Sequence, residues 1–129
     1  LTNGWLLGRQ NFGTPLRRPL APIHQLQRAG VCVAVGGDNV QDPWFPAGNF
    51  DPLALIAASL AQAQLAPWER LGLSPFTTAA ARLMQMEWDG VIRAGAPADA
   101  MQLPVQSWAE ALATPPERRL LVRGVWVQD

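Results

Sequence analysis

The sequence predicts an α/β chain that ends in a small β-rich module, and three observations carry that prediction. Val31-Cys32-Val33-Ala34-Val35 is apolar at every position and stops at Gly36-Gly37, the pattern of a strand buried on both faces in a parallel sheet. Asp51-Pro52 and Ser74-Pro75 each pair a capping side chain with a proline that suits the first helical turn. The run from Arg119 to Gln128 is rich in valine and leucine and breaks at Arg123-Gly124, as a hairpin does. The 129 residues are 49% hydrophobic, with ten basic and ten acidic side chains, a composition of one ordinary globular unit.

Taken in order, Leu1 to Leu7 reads as a short strand, followed by a Gly/Pro-rich loop through Pro15. Ile23, Leu26 and Ala29 share one face of a helix from Pro22 to Ala29, with Arg28 in its last turn and Gly30 past its end. The Val31–Val35 strand follows at once, which makes the αβ half of a βα repeat. A loop from Asn39 to Phe50 then carries two prolines, a glycine and three aromatics, too ordered in composition for a linker. Asp51 caps a helix expected to reach about Leu65, with Leu53, Ile56, Ala57, Leu60 and Ala61 on its apolar side. Ser74-Pro75 opens another, alanine-rich helix to about Gln85. The character changes near Trp88, which places a domain boundary there, 1–87 before it and 88–129 after it. Beyond it come strands at Val91–Arg93 and Ala100–Leu103, a brief helix from Ser107 to Ala113, and the terminal hairpin.

Composition excludes several classes of function. The balanced charge gives no reason to expect nucleic acid or an anionic membrane as partner. The apolar runs fall well short of the roughly 20 residues that span a bilayer, and no basic-then-apolar leader opens the chain, so a cytoplasmic protein is expected. Cys32, inside the apolar run, reads as a small buried hydrophobe, and a single cysteine allows no intrachain disulfide. Because the sequence starts at Leu1 in what already reads as structure, it is expected to be a piece of a longer protein or a trimmed chain.

Asp38 follows the two glycines at the carboxyl end of the apolar strand, where α/β enzymes keep their chemistry. One carboxylate there can bind a metal, act as a general base, or cap the next element. His24, the single histidine, lies in a helix among glutamines and reads as a surface or packing residue, not a metal ligand. Trp44 can cover a flat heteroaromatic ring beside Asp38, or simply fold its loop inward. Trp5, Trp68, Trp88, Trp108 and Trp126 read as core or interface packing. No HxH, HExxH, CxxC, phosphate-cradling glycine loop or nucleophile elbow occurs, so the chain holds no complete catalytic set.

Gly36-Gly37-Asp38-Asn39-Val40-Gln41-Asp42-Pro43-Trp44-Phe45-Pro46 resembles the segment after the eighth barrel strand in cytosine deaminases of the metal-dependent amidohydrolase superfamily. There the pattern is Gly-His-Asp-Asp-Val-x-Asp-Pro-Trp-Tyr-Pro. Leu1-Thr2-Asn3, Leu7-Gly8-Arg9 and Pro15-Leu16-Arg17-Arg18 look like the seventh strand and its loop. Thr77 to Leu83 and Gly90 to Asp99 are similar to the superfamily's closing signature, and Leu121 to Val127 to its last hairpin.

The resemblance implies the C-terminal part of a (β/α)8 TIM barrel over 1–87, about its last two βα units. Over 88–129 it implies the C-terminal strands of a small β-sandwich. It implies hydrolytic deamination of an amino-substituted, cytosine-like heterocycle by water activated on a divalent metal, Fe or Zn. Asp38 matches the metal-binding aspartate that also takes a proton from the water, and Asn39 and Trp44 match substrate-binding positions. Asn39 stands where cytosine deaminases carry a second aspartate, and Gly37 where they carry histidine, departures that suggest another substrate. The remaining ligands of that family are not in this sequence, and a barrel needs about 250 residues. The chain alone is therefore expected to be inactive, to lose the metal and to self-associate, while the full-length protein is expected to be a homo-oligomer. The competing expectation is a non-catalytic remnant that binds a small molecule or partner through the 39–50 loop.

Overall fold

The computed structural model describes residues 20–114 and 116–127. The expectations for the Leu1–Leu7 strand, its loop and Trp5 lie outside the described residues. In chain order the elements are helix α1 (Ile23–Arg28), helix α2 (Pro52–Ala63), a 3-10 turn (Ser74–Phe76), helix α3 (Thr78–Leu83), strand β1 (Ala100–Gln102), helix α4 (Trp108–Ala113), and strands β2 (Arg119–Val122) and β3 (Val125–Trp126).

Helix α1 ends where the sequence places its end. Gly30 takes φ +80°, so its N–H reaches the Gln27 carbonyl at 3.0 Å and that of Val31 reaches Leu26 at 2.9 Å, a paired closure that satisfies the last carbonyls. Asp51 caps α2 as expected, its Oδ1 accepting from the Leu53 N–H at 2.9 Å, with Pro52 first in the helix. The helix stops at Ala63 because Gln64 turns left-handed, after which Leu65 is fully buried. Leu53 and Ile56 form the inward face with Ser59, whose hydroxyl donates to the Leu55 carbonyl at 2.7 Å. Ala61, placed on that face by the sequence pattern, is exposed.

Two expectations need correction here. The helix from Ser74 is split: Pro75 is buried and supports a 3-10 turn, and Thr77 at φ −129°, ψ −99° interrupts it before α3. The Val31–Val35 segment leads to Asp38, yet among the described residues it has no regular structure and joins no strand ladder. Val31 is 48% exposed. A strand's backbone groups need a neighbour to pair with, and here the Val35 N–H turns to the Pro75 carbonyl at 3.0 Å. Cys32 is half-buried and its thiol donates to the Ala79 carbonyl of α3 at 3.6 Å, which agrees with a packing role.

After residue 88 the three strands form an antiparallel sheet in the order β1-β2-β3. Ala100, Met101 and Gln102 pair with Leu121, Leu120 and Arg119, and Leu121 and Val122 with Trp126 and Val125. The hairpin turns through Arg123 (φ 50°) and Gly124 (φ 77°), the two successive left-handed residues that match strand twist. Val91–Arg93, expected as a strand, has no regular structure, and Ile92 is 85% exposed. Of the tryptophans read as packing, Trp88 and Trp108 are half-buried, whereas Trp68 and Trp126 are exposed. Arg119 lies 4.4 Å over the Trp126 ring. Helix α4, capped by Ser107, packs on α2 across residue 88.

Candidate active site

Asp38 sits at the end of the apolar 31–35 run and its two glycines, and is exposed. The glycine before it is functional in a spatial sense: a side chain at Gly37 would meet the Leu55 methyls of α2 at 3.7 Å, so the backbone runs close over that helix on its way to Asp38. Asn39 is half-buried and Trp44 is 44% exposed. The three sequence-selected residues thus occupy one stretch of chain, at its entry into the 39–50 loop.

A residue outside that selection organises the loop. Asp42 Oδ2 accepts from the Asn39 side-chain amide at 2.8 Å, while Oδ1 accepts from the backbone N–H of Trp44 at 3.0 Å and of Phe45 at 2.8 Å. An aspartate that bonds the backbone two and three residues on, with Pro43 next to it, is the chemistry of an Asx turn. The Asn39 amide first, then the Phe45 and Trp44 N–H groups, hold the Asp42 carboxyl below the usual carboxylate range. The Asp-Pro pair was the signal in the sequence; the bond back to Asn39 was not readable from it.

The loop closes again at Gly48. Its N–H donates to the Phe45 carbonyl at 2.9 Å, and its Cα lies so near the Asn39 carbonyl that any Cβ would collide with it. At the far end Asn49 Oδ1 accepts from the Asp51 N–H at 3.0 Å. Asp51 then spends its second oxygen on Arg118, whose guanidinium donates to Oδ2 at 2.6 Å. That bond lowers the Asp51 pKa and raises that of Arg118.

His24 is placed elsewhere. Its Nε2 is 3.0 Å from the Ala63 carbonyl, tying α1 to the end of α2 beside a cavity of about 280 Å³, as a packing residue would. A second cavity of about 400 Å³ lies between Pro52, Arg118 and the sheet. Asp38, Asn39 and Trp44 line neither. Among the described residues no group of three or more His, Cys, Asp or Glu side chains is placed to hold a metal ion. The Asp38 carboxylate is a hard oxygen donor of the kind such a centre uses, and a single carboxylate is not a centre. No helix of the described residues is long and apolar enough to cross a membrane.

Comparison with known proteins gives these features a family. The amidohydrolase family model matches residues 2–129. A pterin deaminase of Rhizobium rhizogenes is 30% identical over 129 residues, which are 100% of this chain and 30% of that protein. Two structures of 5-methylcytosine deaminase from Klebsiella pneumoniae, liganded with phosphonocytosine and with 5-fluorocytosine, each match at a TM-score of 0.72 and 26% identity. Each match covers 89% of this chain and 29% of theirs. The likeness supports an α/β fold and a place beside deaminases. This chain belongs to the amidohydrolase family.

Proposed function

We propose that this chain is the C-terminal part of a hydrolytic deaminase acting on an amino-substituted, cytosine-like or pterin-like heterocycle. In this reading residues 1–87 complete a (β/α)8 barrel with its last two βα units, and 88–129 supply strands of a small β-sandwich. One observation carries it: exposed Asp38 leads straight into a loop in which the Asp42 carboxylate holds the Trp44 and Phe45 backbone amides, with Trp44 exposed. The deaminases among its relatives agree with that reading.

The chemistry assigns each residue a task. Water adds to the ring carbon that bears the amino group, the C–N bond breaks, and ammonia leaves as the carbonyl forms. A divalent ion, iron or zinc, bound in the whole protein supplies acidified water at neutral pH. Asp38, an anionic acceptor, would give that ion one ligand, and would take a proton from the attacking water and pass it on to the leaving nitrogen. Trp44 covers the flat ring with its indole face. Asn39 contributes an amide, which offers both a donor and an acceptor where a carboxylate would only accept. In this reading the chain by itself should neither keep the ion nor turn over substrate, because no three ligating side chains are grouped among the described residues.

The test uses the intact gene product loaded with Fe or Zn, with ammonia release measured from pterin, cytosine and 5-methylcytosine. Asp38→Ala should lower turnover on the order of 10²- to 10⁴-fold, the contribution of one positioned acid–base group, and should lower bound metal. Unchanged turnover and metal content in that variant would refute the assignment.

A further inference from the structure

Both residues proposed to line the substrate pocket hang from one carboxylate. Asp42 binds the Asn39 amide through Oδ2 and the Trp44 and Phe45 backbone through Oδ1. No helix or strand ladder runs through residues 39–50 to take over that work. Asn39 is held from the other side as well, because the Gly48 turn packs against its backbone carbonyl. Its side chain and its main chain are thus fixed by two separate devices.

We infer that Asp42 is a positioning residue for substrate recognition, setting the orientation of the Asn39 amide and the placement of the Trp44 backbone without touching the reacting atoms. The inference rests on the deaminase reading above. An ionised carboxylate suits this task because it only accepts, so it can serve three donors at once. It also settles which way the Asn39 amide points: turned over, that amide would press its carbonyl oxygen against the carboxylate. A fixed amide distinguishes a donor edge of a substrate ring from an acceptor edge, and a freely turning one does not.

The experiment compares Asp42→Ala, Asp42→Asn and the pair Asn39→Asp with Asp42→Asn, all in the intact, metal-loaded gene product. Pterin and 5-methylcytosine are the probes. Steady-state kinetics is read beside hydrogen exchange over residues 39–48 without substrate. Asp42→Ala should raise KM on the order of 10- to 100-fold, the loss of one or two charge-assisted hydrogen bonds. It should leave kcat within about threefold and speed exchange of the Trp44 and Phe45 amides. Asp42→Asn keeps an acceptor for those two amides and should restore most of their protection. The transposed pair rebuilds the side-chain bond with donor and acceptor exchanged, and should change the ratio of kcat/KM between the probes by about tenfold or more. An unchanged KM in Asp42→Ala, or a fall in kcat with KM constant, overturns the inference. Ammonia from neither probe in the wild type brings down the deaminase reading; the positioning role is then decided by exchange alone, and unchanged protection in Asp42→Ala refutes it.

Discussion

Asp51 does two jobs with two oxygens, and its acid response follows from both. One oxygen caps α2 and the other holds the Arg118 guanidinium, so the ionised form is favoured in the folded protein and the pKa is lowered, chiefly by Arg118. A depressed folded pKa means that the stabilisation is present above the unfolded value and is lost as pH falls through the folded one, below about 4. Asp51→Ala should therefore lose about 1–2 kcal/mol at neutral pH, a cap plus a partly buried ion pair. Asp51→Asn, which keeps a capping oxygen, should lose less than half of that. Denaturant melts at pH 7 and pH 3 check this: the gap between wild type and Asp51→Asn should narrow as the pH falls below the unfolded value. The cap was legible from Asp51-Pro52 alone. Its partner was not, since no local pattern marks which of ten basic residues returns across 67 positions.

At the scale of elements, punctuation was legible and partnership was not. Gly30, Asp51-Pro52, Ser107 and Arg123-Gly124 all end or begin elements as their chemistry requires, because caps and turns are decided by neighbours in sequence. The Val31–Val35 run was read as a buried strand on its apolar side chains, but a strand exists only with a ladder beside it, and none is present among the described residues. The loop adds a point that composition hides: its glycine is crowded, whereas Gly36 ahead of it is not. Gly48→Ala would drive a methyl into the Asn39 carbonyl and to 2.9 Å from the Phe45 ring, whereas nothing lies within 4 Å of a methyl at Gly36. Gly48→Ala should lose about 1–3 kcal/mol, as overpacked sites do, and open the 39–50 loop to limited proteolysis. Gly36→Ala should melt like the wild type.

For the whole molecule, the sheet is the feature that matters most. Met101, Leu120, Val122, Val125, Trp126 and Val127 are all exposed on or beside a sheet whose outer strands pair with no further strand among the described residues. Contiguous apolar surface beside unpaired strand edges favours association. The 129-residue chain on its own should therefore self-associate, visible by sedimentation as a concentration-dependent rise in mass; a monomer that melts cooperatively would contradict this. The chain spans 30% of the length of its curated relative and 29% of the solved one, so much of the candidate site's chemistry has no counterpart in these residues to read. The Arg118–Asp51 bond joins the end of the loop to the residue just before the strand that opens the hairpin. During translation Asp51 leaves the ribosome sixty-seven residues ahead of Arg118. A nascent chain therefore carries its capped helix for that whole interval without the cation that anchors it.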